Sequence, residues 1–406
     1  MIDTTRRGVL HAGAALGAAV GSGFMIRPAS ARSYRDPGVT DTTIRIGGTF
    51  PFSGPASAYG VIGTTDMAYF NMVNEQGGIN GRKVELIALD DAYSPPKTVE
   101  AIRRLVEEER VLFLFNCVGT ASNSAVAKYL TTKKVPSIFI TSGASKWGDV
   151  KEFPWTIGYQ APYSAEGEIL AKHVLAHVKD PKVGVLMQND DFGKDYYNGF
   201  VQGIGDKDRI VALATYEISD PTVDSQMVQL KSSGANVFIN ITSPKFAAQS
   251  IRKFAEIQWN AVHYLNSTVT SMPTLKAAGL DKCKDLISLS YAKDPTDPQW
   301  QNDRDFKDYA AFMARYNKDV SISEGPAVFA YAASFTLHEV LRRCGDDLSR
   351  ENVMRQASSL EDLVVPMLLP GVRINTSATD HYPIQTVHMI TFDGERWKVA
   401  PESLST

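Results

Sequence analysis

The chain reads as an α/β protein made of two doubly wound parallel-sheet lobes. Short β-branched or apolar runs alternate with longer helical stretches over most of its length, the pattern of parallel sheets covered by helices on both faces. The runs are too many for one sheet of ordinary size. A turn-rich connector, Gly158-Tyr159-Gln160-Ala161-Pro162, falls where a split would give two similar halves. At 406 residues, a prior of roughly 150 residues per domain gives about two to three domains or lobes.

Residues 1–31 read as an address. Thr5-Arg6-Arg7-Gly8 precedes an almost unbroken apolar stretch from Ala12 to Ile26, and a small-residue site follows at Ala29-Ser30-Ala31. A positive start, a short apolar run and an A-x-A site make an export signal, here of the twin-arginine type. The run is too short and too rich in Gly and Ala to span a bilayer of about 30 Å. No later stretch reaches membrane-spanning length, so the mature chain is expected to be soluble and periplasmic, with the signal cleaved near Ala31.

Strands are expected at Ile44–Phe50, Val84–Leu89, Val111–Phe115, Pro136–Ile140, Val183–Met187, Ile210–Tyr216, Val237–Ile241, Tyr264–Asn266 and Leu286–Ser290. Between them lie helical stretches near 60–76, 96–110, 122–133, 164–178, 193–204, 224–233 and 244–257. Ser94-Pro95 reads as a cap followed by proline in the first turn, and Gly77-Gly78 as a helix stop. After Ser290 a Pro/Asp-rich loop at 292–298 leads to helices near 303–317, 325–343 and 349–358. Val387–Phe392, the turn Asp393-Gly394 and Glu395–Val399 form a closing hairpin.

Composition excludes several classes. The chain is 44% hydrophobic and 21% charged, with 30 Gly and 20 Pro, which excludes a disordered, collagen-like or coiled-coil protein. A net charge of −3 without a basic patch argues against nucleic acid as the main partner. Cys117, Cys283 and Cys344 allow at most one disulfide. There is no G-x-S-x-G, P-loop, G-x-G-x-x-G, H-E-x-x-H or C-x-x-C. His173 and His177 share a helix face, but no nearby Cys, Asp or Glu completes a metal set. Asp90-Asp91 and Asp190-Asp191 each end a strand, where such pairs cap the next helix or satisfy loop amides. No catalytic residue, metal or cofactor is expected.

Three segments in order carry a resemblance: Phe50-Pro51-Phe52-Ser53-Gly54-Pro55-Ala56, Asn74-Glu75-Gln76-Gly77-Gly78-Ile79-Asn80-Gly81-Arg82, and Asp90-Asp91. Val135–Ile140 and Gln188-Asn189-Asp190-Asp191-Phe192-Gly193 extend it. The chain, over about 43–400, resembles the extracytoplasmic solute-binding proteins of the branched-chain amino-acid ABC transporter family. Cys344-Gly345-Asp346-Asp347-Leu348 and Leu368-Leu369-Pro370-Gly371 look like a subgroup that takes aromatic and other hydrophobic acids.

The resemblance implies a type I periplasmic binding fold with a hinge of three crossovers near 162, 291 and 368. The N-terminal lobe would be 43–162 plus 292–368, and the C-terminal lobe 163–291 plus 369–400. It implies a monomer that captures a small-molecule carboxylate and delivers it to an ABC permease at the inner membrane, with branched-chain amino acids, amides or urea, or a sensor role, as alternatives. Ser122 matches the family's carboxylate-binding serine; the alternative is a plain helix cap. Gly143, Ala144 and Ser145 would complete the clamp, and Tyr59 and Phe192 would wall the cleft. Tyr163 sits at a crossover, Thr242 and Ser243 follow a strand, and Tyr93 lies near the cleft edge. Where amino-acid binders of the family carry carboxylates for the ligand ammonium, this chain has Tyr163 and Thr268. Burying an ammonium without an anionic partner costs several kcal/mol, so a carboxylate with an apolar or aromatic body is expected instead of an α-amino acid. The family's cysteine pair corresponds to Tyr93 and Ala121, so that disulfide is absent.

Overall fold

A computed structural model describes residues 36–406; the leader read at 1–31 lies outside the described residues. The first sheet holds β1 (Thr43–Phe50), β2 (Lys83–Asp90), β3 (Leu114–Phe115), β4 (Ser137–Ile140) and β5 (Thr156–Gly158), all parallel, in the order β2-β1-β3-β4-β5. The second holds β6 (Val183–Gln188), β7 (Ile210–Tyr216), β8 (Val237–Ile241), β9 (Val262–Leu265) and β10 (Ile287–Ser290), ordered β7-β6-β8-β9-β10. The hairpin β11 (Thr386–Phe392) and β12 (Trp397–Ser405) adds to β10 antiparallel. Strands β4, β6 and β8 are buried at every position, as unbroken apolar runs in a sheet covered on both faces must be. In each lobe the strand order reverses beside the first strand, and ligand crevices open at such points, outside the carboxyl ends of the strands.

The first sheet is flanked by α1 (Val61–Glu75), α2 (Pro95–Arg103) and α3 (Thr120–Lys133). The second carries α4 (Tyr163–His177), α5 (Asp191–Ile204), α6 (Asp224–Ser232), α7 (Pro244–Glu256) and α8 (Met272–Ala278). Then α9 (Arg304–Tyr316), α10 (Gly325–Cys344) and α11 (Arg350–Ala357) follow. Helices α4 and α5 meet with almost no side chain between them. A Cβ on Gly199 would stand 1.9 Å from the Ser164 carbonyl oxygen, and one on Gly167 2.3 Å from that of Tyr196.

The chain crosses between lobes at 159–162 and 291–293, and a third time ahead of β11. Segment 291–293 pairs antiparallel with 367–369, through Lys293 N–H to Met367 O at 2.8 Å and Leu369 N–H to Tyr291 O at 2.9 Å. Residues 369–385, read from sequence with the second lobe, return to the first. Leu363 and Ile374 exchange backbone hydrogen bonds, His381 Nδ1 reaches the Thr156 carbonyl at 3.0 Å, and the Tyr382 hydroxyl donates to the Ser145 carbonyl.

Three local differences from the sequence expectation have simple causes. Strand β5 is only three residues, too short to show a period. Helix α8 was not expected, because its seven residues carry little amphipathic signal. Helix α3 begins at Thr120, two residues before the expected start, because Gly119 adopts φ +102° and breaks the chain there.

Candidate ligand-binding cleft

One continuous cavity of about 140 Å³ lies between the lobes. That is room for roughly ten waters. On the first-lobe side its wall includes Tyr59, Tyr93, Gly119, Thr120 and Thr141; the second lobe adds Phe192, Ser243, Ser267 and Thr268. Gln160 and Tyr163, at the first crossover, stand between them.

Asp90 and Asp91 set the first wall. Asp90 accepts from the Ala92 amide at 2.9 Å and Asp91 from the Tyr93 amide at 2.9 Å. Those bonds hold Ala92 and Tyr93 in the left-handed region, at φ 50° and 58°, where L-residues need local support. The Tyr93 ring is thereby laid on Gly119. A Cβ on Gly119 would lie 2.8 Å from that ring. The bare glycine and the start of α3 thus face the cavity together, and the first-turn amides of a helix have no acceptor within it.

A row of hydroxyls runs through the first wall in one direction. Trp147 Nε1 donates to Ser142 Oγ at 2.8 Å, and the Ala144 amide approaches the same oxygen at 3.3 Å. With its lone pairs engaged, Ser142 turns its own hydrogen to Thr120 Oγ1, 2.8 Å away. The Thr120 hydroxyl is then free to donate, and its partner here is the Tyr163 hydroxyl, which donates to Gln160 Oε1. Burial pushes the Tyr59, Tyr93 and Tyr163 phenols well above their ordinary range, so all three stay neutral.

The second wall is built from strand ends. Tyr163 and Phe192 pack edge to face at 5.1 Å. The Tyr216 hydroxyl accepts from the Ser243 amide at 2.9 Å and donates to Gln188 Oε1 at 3.0 Å. Gln188 also reaches Tyr93 of the opposite lobe. Thr268 Oγ1 accepts from Asn266 Nδ2 at 2.6 Å and from the Tyr59 hydroxyl, across the cleft, at 3.3 Å.

Behind Ser267 lies Glu166, fully buried, accepting from the Ser267 and Tyr196 hydroxyls at 2.9 Å each. Burial outweighs these bonds and raises its carboxyl from 4.5 to about 7. The folded chain therefore holds a proton that the unfolded chain releases near pH 4.5. The stability contributed by that proton is fully present below pH 4.5 and is lost as pH rises to about 7. The difference amounts to about 3 kcal/mol at most. Glu166→Gln is expected to flatten this part of the pH profile, read as urea midpoints at pH 5 and pH 8; parallel profiles for both proteins would refute it.

Of the residues singled out from sequence, Tyr59, Tyr93, Tyr163, Phe192, Ser243 and Thr268 line the cavity. Ser122, Gly143, Ala144, Ser145 and Thr242 are placed elsewhere. Ser122 sits inside the first turn of α3, is 2% exposed and accepts from the Thr98 hydroxyl at 2.9 Å. The earlier start of α3 turns it away and presents Gly119 and Thr120 instead. The Gly143 carbonyl accepts from the Tyr163 amide at 2.7 Å, and Ala144 is buried. Both donors of Ser145, the amide at 2.9 Å and the hydroxyl, go to Asp195 of α5. A carboxylate of the protein thus occupies the donors expected to hold a ligand. Thr242 is buried, bonding Asn240 Oδ1 at 2.7 Å; the cavity contact falls on Ser243, one residue on. Gly119, Thr120, Thr141 and Gln160 were missed. The only sequence signal for them was their position just after strands.

The lip opposite the hinge is fastened by Asp195 with Ser145. Asp191 adds to it, 2.6 Å from Lys146 Nζ and 2.8 Å from Ser124 Oγ. Asp190 caps α5 through the Gly193 amide. His173 and His177 stack at 3.9 Å, and His173 Nδ1 lies 2.9 Å from the Tyr264 hydroxyl. Among the described residues, no group of three or more His, Cys, Asp and Glu is placed to hold a metal. All three cysteines are buried and unpaired.

Comparison with known proteins places this geometry in a wider set. A Leu/Ile/Val-binding protein homolog of Brucella melitensis is 27% identical over 214 residues, 48% of this chain and 53% of the relative. The alignment thus spans about half the length of that protein. A substrate-binding periplasmic protein of Ralstonia solanacearum superposes with a TM-score of 0.80 at 22% identity, covering 88% of this chain and 100% of the other. A branched chain amino acid ABC transporter structure from Thermus thermophilus with bound valine gives 0.78 at 14% identity, covering 90% and 96%. The family model described as periplasmic binding protein matches residues 43–396, and with two reversed parallel sheets, a three-crossover hinge and a cleft between them, the chain belongs to that family.

Proposed function

We propose that this chain is the extracytoplasmic solute-binding protein of an ABC importer, and that it captures a small hydrophobic or aromatic carboxylate between its closing lobes. The observation that carries this reading is the polarised hydroxyl row. It sets the Thr120 and Tyr163 hydroxyls at the cavity beside the start of α3, with no carboxylate of the protein among them. A ligand carboxylate would draw the Thr120 hydrogen from the Tyr163 oxygen and the Tyr163 hydrogen from Gln160 Oε1, and would accept from the α3 amides as well. Tyr59, Tyr93 and Phe192 would enclose its apolar body. The leader at 1–31 supports export to the periplasm, and closure around a ligand would present a shape for the permease to recognise. Residues 43–162 with 292–368 would move as one lobe, joined by 369–385 because of their first-lobe hydrogen bonds.

A second reading is favoured by the Leu/Ile/Val-binding name of the Brucella relative. It requires an anionic partner for an ammonium. The acids lining the cavity, Asp294 and Asp297, lie on the hinge side. Asp297 bonds Arg396, and Asp294 bonds Thr296 through Oδ1, while its Oδ2 is buried without a partner among the described residues and burial raises its carboxyl above the ordinary range. A thermal-shift panel of benzoates, phenylpropenoic acids, aliphatic acids, leucine, valine and urea separates the two. Aromatic or aliphatic acids are expected to raise the melting temperature and leucine is not; a shift with leucine or valine alone would overturn the carboxylate reading. Thr120→Val is expected to weaken acid binding by about 1.5–3 kcal/mol, the value of a hydrogen bond to a charged group. Ser122→Ala should leave affinity within a factor of about two and cost about 1 kcal/mol of stability. Calorimetry showing the reverse pattern would return the anchor to Ser122.

A further inference from the structure

We infer that the ligand is longer than it is wide: a linear or aryl-alkyl monocarboxylate whose apolar end lies in a hinge-side arm of the cavity. This rests on the carboxylate reading above and adds the length and shape of the substrate. The cavity does not stop at the Tyr163–Phe192 wall. It continues past the crossover residues Ser290, Tyr291 and Ala292 to Met272 of α8, Pro326 of α10 and the side chains of Ile390, Trp397 and Val399 on the closing hairpin. These last five are apolar or aromatic, and they come from three separate parts of the fold.

The arm is largely apolar because most of its polar neighbours are engaged elsewhere. The Trp397 indole donates to the Thr270 carbonyl at 2.8 Å, so its ring is left as a wall. Lys293 is held by Asp303 at 2.9 Å and Asp305 at 2.6 Å, and Asp297 by Arg396 at 2.9 Å. Asp294 Oδ1 accepts from the Thr296 amide and hydroxyl at 2.8 Å each, while its Oδ2 is buried without a hydrogen-bond partner among the described residues. At Gly325 the starts of α10 and α8 nearly touch, since a Cβ there would lie 3.2 Å from Ser271 Cβ. The hydroxyl row thus lies at one end of the cavity and an apolar chamber at the other, past the hinge. A volume equal to about ten waters takes roughly ten to fifteen non-hydrogen atoms at interior packing density, more than a compact branched-chain ligand would fill.

The test is a calorimetric series of straight-chain carboxylates from butanoate to dodecanoate, with 3-phenylpropanoate, on the wild type, Val399→Phe and Gly325→Val. Wild-type affinity is expected to rise about threefold to fourfold per methylene as the chain grows into the arm, and to level off once it is full. Val399→Phe and Gly325→Val should each end that rise earlier, losing about tenfold or more for decanoate while changing butanoate by less than about threefold. Melting curves show which variant is folded, and either one suffices. Wild-type affinity that is flat or falling beyond pentanoate overturns the arm, as do variants that weaken short and long chains equally. Binding of butanoate without gain from longer chains removes this inference and leaves the carboxylate reading standing. No binding by any acid removes both.

Discussion

Gly199→Val is expected to lower the unfolding free energy by about 3 kcal/mol or more, at the upper end of overpacking costs. The valine Cβ would start 1.9 Å from the Ser164 carbonyl oxygen, and the Cβ of an added side chain at Gly203 would lie 2.8 Å from Glu168. The two glycines sit one helical turn apart on α5, so both are on the face against α4. Neither backbone can yield without separating the helices. Gly199→Ala provides the sharper control. Propensity alone favours alanine over glycine in a helix by about 1 kcal/mol, so any loss from alanine reports the close approach itself. Urea unfolding with an unchanged midpoint for both variants would show that the helices stand further apart. Since α5 also carries Phe192 and Asp195, the valine variant should bind ligand poorly even where it remains folded.

Asp195→Ala is expected to lower ligand affinity about thirtyfold. Asp195 takes both donors of Ser145 across the cleft lip, and hydrogen bonds to a charged group contribute about 1.5–3 kcal/mol each. Weakening the closed form by about 2 kcal/mol lowers apparent affinity by that factor when only the closed form retains ligand. The Asp191–Lys146 pair spans the same lip but is more exposed, its side chains 49% and 31% accessible. Lys146→Ala should therefore cost less than about threefold. Titration calorimetry gives the affinities, and solution X-ray scattering gives the radius of gyration, which should grow for unliganded Asp195→Ala. Full affinity with an unchanged radius would mean that Asp195 does not fasten the lobes.

Much of this was legible along the chain. The βα alternation marks both sheets because strands buried on two faces must be apolar throughout, and that demand is written locally. Asp90-Asp91 and Asp190 were readable as holders of loop and helix amides, since a short carboxylate after a strand has those donors within reach; Asp191 instead bonds Lys146 and Ser124 of the other lobe. Tyr59, Tyr163, Phe192 and Thr268 reached the cavity because each follows a strand end or crossover, where the fold opens.

The sequence alone, then, determined the fold class, the succession of elements and the neutral residues at Tyr163 and Thr268. Each of these depends on periodicity or on residue identity at one position. Only the tertiary structure decided the rest. The start of α3 at Thr120 depends on Gly119 accepting the Tyr93 ring from a different loop. The fate of the Ser145 donors depends on Asp195, fifty residues away. The return of 369–385 to the first lobe and the apolar arm beneath the hairpin join residues distant in the chain. Such contacts leave no periodic trace, because the free energy that fixes them comes from surfaces that meet only in the folded chain.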